Sequence, residues 1–113
     1  MSNVLRLRWA NTFWRRFLGL HAGLPLAQNE ALVLIPCSAV HTFFLDHAID
    51  VVFLDADGGE CRCVHALRPW RAVREKRACV VVELPAGYCS RHPDYLVRIH
   101  AALRLRVSPR LSE

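Results

Sequence analysis

A chain of 113 residues with 53% apolar side chains can bury one core, and its size predicts a single domain over 1–113. Its formal charge of +5 comes almost wholly from arginine, but the arginines are spread along the chain and form no RNA-binding motif with interleaved aromatics, which sets nucleic-acid binding behind a solvated basic surface. The longest apolar runs fall far short of the roughly 20 residues that span a bilayer, and the Arg-rich start has no apolar stretch behind its charges, so we expect no membrane anchor, no leader and a cytoplasmic protein.

Five cysteines, Cys37, Cys61, Cys63, Cys79 and Cys89, are an odd number with no CxxC pair. They read as reduced thiols packed like small hydrophobes, not as a disulfide framework. No cofactor is expected.

Val4 to Trp9 alternates, with Leu5, Leu7 and Trp9 against Arg6 and Arg8, as an edge strand does. Asn11 or Thr12 can cap a short helix in which Phe13, Phe17 and Leu20 recur at helical spacing; Gly19 or Gly23 ends it, and Pro25 prevents its return. Ala31 to Ile35 is an apolar run stopped by Pro36, and Val40 to Leu45 is another. Ile49 to Leu54 is apolar on both faces except at Asp50, so it wants burial on both sides. Asp55-Ala56-Asp57-Gly58-Gly59 is a hairpin signal. Glu60 to Leu67 returns as a strand with Cys61, Cys63, His65 and Leu67 on one face. Arg68 to Arg77 reads as a loop, and Ala78 to Leu84 as a strand ending in Glu83. Pro85-Ala86-Gly87 begins a turn or short helix reaching Arg91. Ala102 to Val107 alternates Leu103, Leu105 and Val107 with Arg104 and Arg106, as a last strand would, and Ser108 to Glu113 reads as a loose tail. The fold class is therefore mainly β, a β-dominated α+β arrangement: a small antiparallel barrel or sandwich of about seven strands with one or two short helices.

The strings HTFFLDHAIDVVFLDADGG, ALRPW and VVVELPAG, with ANTFWRRFLGL upstream, resemble the bacterial and archaeal domain-of-unknown-function 192 family over most of the chain. That resemblance implies a compact, mainly β fold and no assigned activity. It singles out Thr12, Arg16, Gly19, Leu20, Asp50, Phe53, Glu83 and Gly87. Three places depart from the pattern: Ala48 stands where Pro is usual, His41 where many members carry an aromatic, and His100-Ala101 where a Gly-Asp pair commonly precedes the last strand.

The polar residues admit several chemistries. Asp50, at the head of an apolar strand, must find donors, either as a scaffold acceptor or as a ligand-facing acid. Glu83 poses the same choice, with Arg16 as the partner the family pattern suggests; if Asp50 and Glu83 share a cleft, they form a carboxylate pair suited to general acid/base work. Cys61, Cys63 and His65 on one strand face, or His41, His47 and Asp50, supply metal-ligating atoms, though not at zinc-ribbon spacing. Cys37 or Ser38 with His41 lacks any nucleophile signature. Trp70, between Arg68 and Arg71, would suit stacking on a ring. We therefore expect a non-catalytic small-ligand-binding or accessory module whose polar cleft draws on Asp50, His41, Glu83, Thr42, Arg68 and Trp70, its ligand small and polar or anionic. The rivals are a hydrolase using Asp50 and Glu83, and a protein-interaction module.

Overall fold

The computed structural model describes residues 4–9, 26–43 and 45–111, with side chains as far as Arg104. The helix expected after Thr12, and with it Arg16, Gly19 and Leu20, lies outside the described residues. Within them, the strands are β1 (Arg6–Trp9), β2 (Glu30–Leu34), β3 (Ala39–His41), β4 (Ile49–Leu54), β5 (Glu60–Leu67), β6 (Ala72–Arg74) and β7 (Val80–Pro85), and the helices are α1 (Tyr88–Arg91) and α2 (Tyr95–Leu111).

Five strands form one sheet in the order β1-β2-β7-β4-β5, while β3 and β6 form a separate two-stranded sheet. β1 lies parallel to β2, and the other pairings are antiparallel. The mainly β expectation is met, but among the described residues the large sheet is open, with β1 and β5 as its edges, so of the two architectures offered it is not the closed barrel.

β4 explains the layering. Every residue of IDVVFL is buried, and because successive side chains point to opposite faces, the strand feeds two cores. Ile49, Val51 and Phe53 join Leu32, Leu34 and Val81 beneath the small sheet, where Val40 and Leu67 cover them. Val52 and Leu54 join Ala31, Val82 and Leu84 on the other face, closed by Tyr88 and Cys89 of α1 and by Ile99 and Ala102 of α2. The β4–β5 turn follows its sequence signal: Gly58 takes φ +84, and Asp55 Oδ1 accepts the amide N–H groups of Asp57 and Gly59 at 2.9 and 2.8 Å. At the β1 edge, Arg8 Nε donates to Glu30 Oε2 at 3.2 Å, placing charge where an unpaired strand would invite another chain.

Three expectations need correction. Ala102–Val107 is not a strand; it lies inside α2. Ile99 and Ala102 are buried and Leu96 and Leu103 packed beside them, an i, i+3, i+6, i+7 stripe that a helix buries and a strand cannot. The same helix runs to Leu111, so residues 108–111 are not a loose tail. The segment Arg68–Arg77 is not all loop, because Ala72–Arg74 pairs with Ala39–His41 as β6.

Candidate functional site

Asp50 is fully buried. It stands opposite Leu84 of β7 and so faces the helices. Its Oδ1 accepts the amide N–H groups of Ala66 at 2.8 Å and Gly87 at 3.1 Å, and its Oδ2 accepts that of Cys89 at 2.9 Å. Two of these donors occupy left-handed backbone, Ala66 at φ +51 in a bulge of β5 and Gly87 at φ +85 at the start of α1. Gly87 has no side chain with which to cap α1, and the carboxylate of a strand 37 residues earlier does it instead. Three backbone donors give both oxygens of the buried carboxylate partners, which makes Asp50 the clamp of a corner.

Glu83 is also buried, but it stands opposite Val51, one position along from Asp50, and so points to the other face of the sheet. The two carboxylates share no cleft. Arg16, the partner suggested for Glu83, lies outside the described residues.

Bulges in β5 also divide the thiol–imidazole set. The register shifts between Phe53 and Leu54, so Cys61 packs with the core beneath the small sheet and Cys63 with the core beneath the helices. His65 follows Cys63: its Nε2 lies 3.7 Å from Cys63 Sγ, and its Nδ1 3.4 Å from Ser90 Oγ. His47 pairs with Asp46 at 2.8 Å on the surface. Among the described residues no three metal-ligating side chains converge. The Cys37 thiol donates to the Ala39 carbonyl at 3.0 Å.

The remaining expected residues do come together. Along β3 and just beyond it, Val40 and Thr42 are buried while Ala39 and Phe43 face out. Thr42 Oγ1 donates to the Arg68 carbonyl at 2.6 Å and accepts the Arg71 amide N–H at 2.9 Å. Its backbone N–H donates to the Arg71 carbonyl, and its carbonyl accepts the Trp70 N–H. One buried threonine thus holds the turn Arg68-Pro69-Trp70-Arg71, in which Trp70 takes φ +62. The result is a ladder of rings. His41 stacks on Phe43 at 4.8 Å between centroids and 28° between planes, and Phe43 on Trp70 at 5.8 Å and 25°. Phe43 is 37% and Trp70 57% exposed, and the side chains of Arg68 and Arg71 are exposed beside them. Phe43 was missed in the sequence, although its place two residues after His41, across an inward Thr42, was legible.

A family profile, DUF192 (Uncharacterized ACR, COG1430), matches residues 1–93. The chain belongs to the DUF192 family. A UPF0127 protein of Thermococcus sibiricus is 38% identical over 98 residues, covering 80% of this chain and 59% of that protein; this DUF192 chain thus spans under two thirds of that relative. The UPF0127 protein PF1050 of Pyrococcus furiosus is 35% identical over 89 residues, 74% of each. Crystal structures of a protein of unknown function from Novosphingobium aromaticivorans and of a candidate transcription regulator (R01717) from Sinorhizobium meliloti both superpose with TM-score 0.67. They are 17% and 18% identical, over 77% of this chain and 67% and 73% of theirs, and at that identity they support the DUF192 fold alone. The DUF192 match ends before α2 begins at Tyr95.

Proposed function

We propose that this DUF192 chain is a non-catalytic binding module that receives a small, flat, anionic molecule on the His41–Phe43–Trp70 ladder, with Arg68 and Arg71 meeting its charge. The exposure of two stacked aromatics on a turn fixed by Thr42 carries the reading. Apolar rings in water cost stability, and positive φ at a tryptophan costs more; neither ring belongs to the cores below. Stacked rings accept any planar partner, and guanidinium groups add recognition of carboxylate or phosphate. Asp50 and Glu83 enter this reading as framework. Their positions on opposite faces leave the hydrolase rival without its carboxylate pair. Among the described residues no helix is long and apolar enough to cross a membrane.

The test is a thermal-shift panel of mononucleotides, aromatic carboxylates and sugar phosphates against the wild-type chain, Trp70→Ala and Phe43→Ala. The reading expects at least one ring-bearing anion to raise the melting temperature. Removing one stacking ring should then weaken that ligand by about 5- to 150-fold, the equivalent of about 1–3 kcal/mol. A hit indifferent to both substitutions overturns it, and silence across the panel turns the ladder toward a protein partner.

A further inference from the structure

The helical face of the sheet carries a second group of reactive side chains that the aromatic ladder does not use. Cys63 of β5 stands opposite Val52, two positions along β4 from Asp50 on the same face. Cys89 of α1 hangs from Asp50 by its amide N–H at 2.9 Å. The sheet register and the Asp50 clamp therefore bring both cysteines to one corner, where they pack in one core cluster. Cys89 is 3% exposed, whereas Cys63 is only partly buried. His65 Nε2 lies 3.7 Å from Cys63 Sγ, and Ser90 Oγ lies 3.4 Å from His65 Nδ1. If Nδ1–H donates to Ser90, the tautomer leaves Nε2 as an acceptor facing the thiol.

We propose that Cys63 and Cys89 form a dithiol that hydrogen peroxide oxidises to a disulfide, with Cys63 reacting first, His65 as its proton acceptor and Cys89 as the resolving thiol. The order follows from access, since only the Cys63 side of the pair reaches solvent. Burial pushes both thiols above the ordinary 9.0, so Cys63 needs a base at hand to become a nucleophile. His65 takes the Cys63 proton. The thiolate sulfur attacks one peroxide oxygen, the O–O bond breaks, and the departing oxygen leaves as water with the proton returned by His65, forming a sulfenic acid at Cys63. Cys89 sulfur then attacks Cys63 sulfur, the S–O bond breaks, and the oxygen leaves as a second water with the Cys89 proton. Two thiols lose two electrons and two protons, one hydrogen peroxide is reduced to two waters, and α1 becomes covalently tied to β5.

The chain supplies an internal control. Cys61 packs into the core on the other face of the sheet from Cys63, and Cys79 is exposed. The test treats the folded chain with hydrogen peroxide, blocks remaining thiols in denaturant and maps them by peptide mass spectrometry. We expect the free thiols to fall from five to three with one Cys63–Cys89 cross-link, Cys89→Ser to leave a sulfenic acid at Cys63 that a dimedone probe traps, and Cys63→Ser to leave Cys89 reduced. Five thiols surviving, a Cys61–Cys79 link in place of the expected one, or oxidation of Cys89 in the Cys63→Ser chain would each overturn the proposal.

Discussion

Asp50 and Cys89 are 39 residues apart in sequence, yet the Asp50 carboxylate accepts the Cys89 amide N–H at 2.9 Å inside the protein. With the Ala66 and Gly87 contacts, this one side chain ties β4 to the bulge of β5 and to the first turn of α1. Asp50→Asn replaces an acceptor oxygen with a donor that must face a backbone N–H. We expect a loss of about 2–4 kcal/mol in stability, read from the midpoint of urea unfolding.

Gly87 sits at φ +85 because the chain turns there from β7 into α1. In Gly87→Ala the new Cβ would lie 2.7 Å from Arg91 Nη1, the far end of a flexible side chain that can move. The cost is therefore mainly backbone strain, about 1–2 kcal/mol. Adding Arg91→Ala should recover little of it. Thermal unfolding of the single and double variants checks this.

Thr42 ties two sites with one hydroxyl. Thr42→Val keeps the shape and removes both hydrogen bonds, leaving the buried Arg68 carbonyl contact and the Arg71 amide unmatched. We expect a loss of about 1–3 kcal/mol and faster hydrogen exchange at Trp70 and Arg71. Thr42→Ser keeps the hydroxyl and should keep the turn.

Two groups shape the pH limits. The Ala27 amide N–H, donating at 2.8 Å, and Arg8 hold Glu30 below its ordinary 4.5. A depressed carboxyl contributes stability that is complete above the ordinary value and is lost as pH falls through the native one. Glu30→Gln should therefore flatten the acid limb. Burial, followed by its hydrogen bond to Glu60, pushes the Tyr95 phenol above its ordinary 10.0. The native state then holds that proton more tightly than the unfolded chain, so its contribution is complete below pH 10 and falls above it. Tyr95→Phe should flatten the alkaline limb. Unfolding free energies across the pH range decide both.

Much of the fold is visible in the residues alone where two signals agree. Ile49–Leu54 and Glu60–Leu67 were read with the bounds that β4 and β5 have, because an apolar run, an Asp-Gly turn and a returning strand constrain one another. Asp50 was legible as a buried corner residue since a carboxylate in such a run must find donors. Ala102–Val107 misled because the five residues Leu103 to Val107, alternating Leu or Val with Arg, fit period 2, and only Leu96 and Ile99 upstream restore the helical stripe. The shared face of Cys61 and Cys63 failed for a different reason: a bulge changes the face without altering residue type. The partners of the aromatic ladder, brought together across 27 residues, leave no local trace beyond alternation at His41, Thr42 and Phe43.

The proposed role rests on where a ligand lands. The most direct measurement is amide chemical-shift mapping of the isotope-labelled chain against mixtures of mononucleotides and aromatic carboxylates. Shifts concentrated at His41–Phe43 and Arg68–Ala72, and weakened in Trp70→Ala, are the result the account predicts. Shifts gathered around Asp50, Gly87 and Cys89 with the ladder unmoved, or no shifts at all, would contradict it.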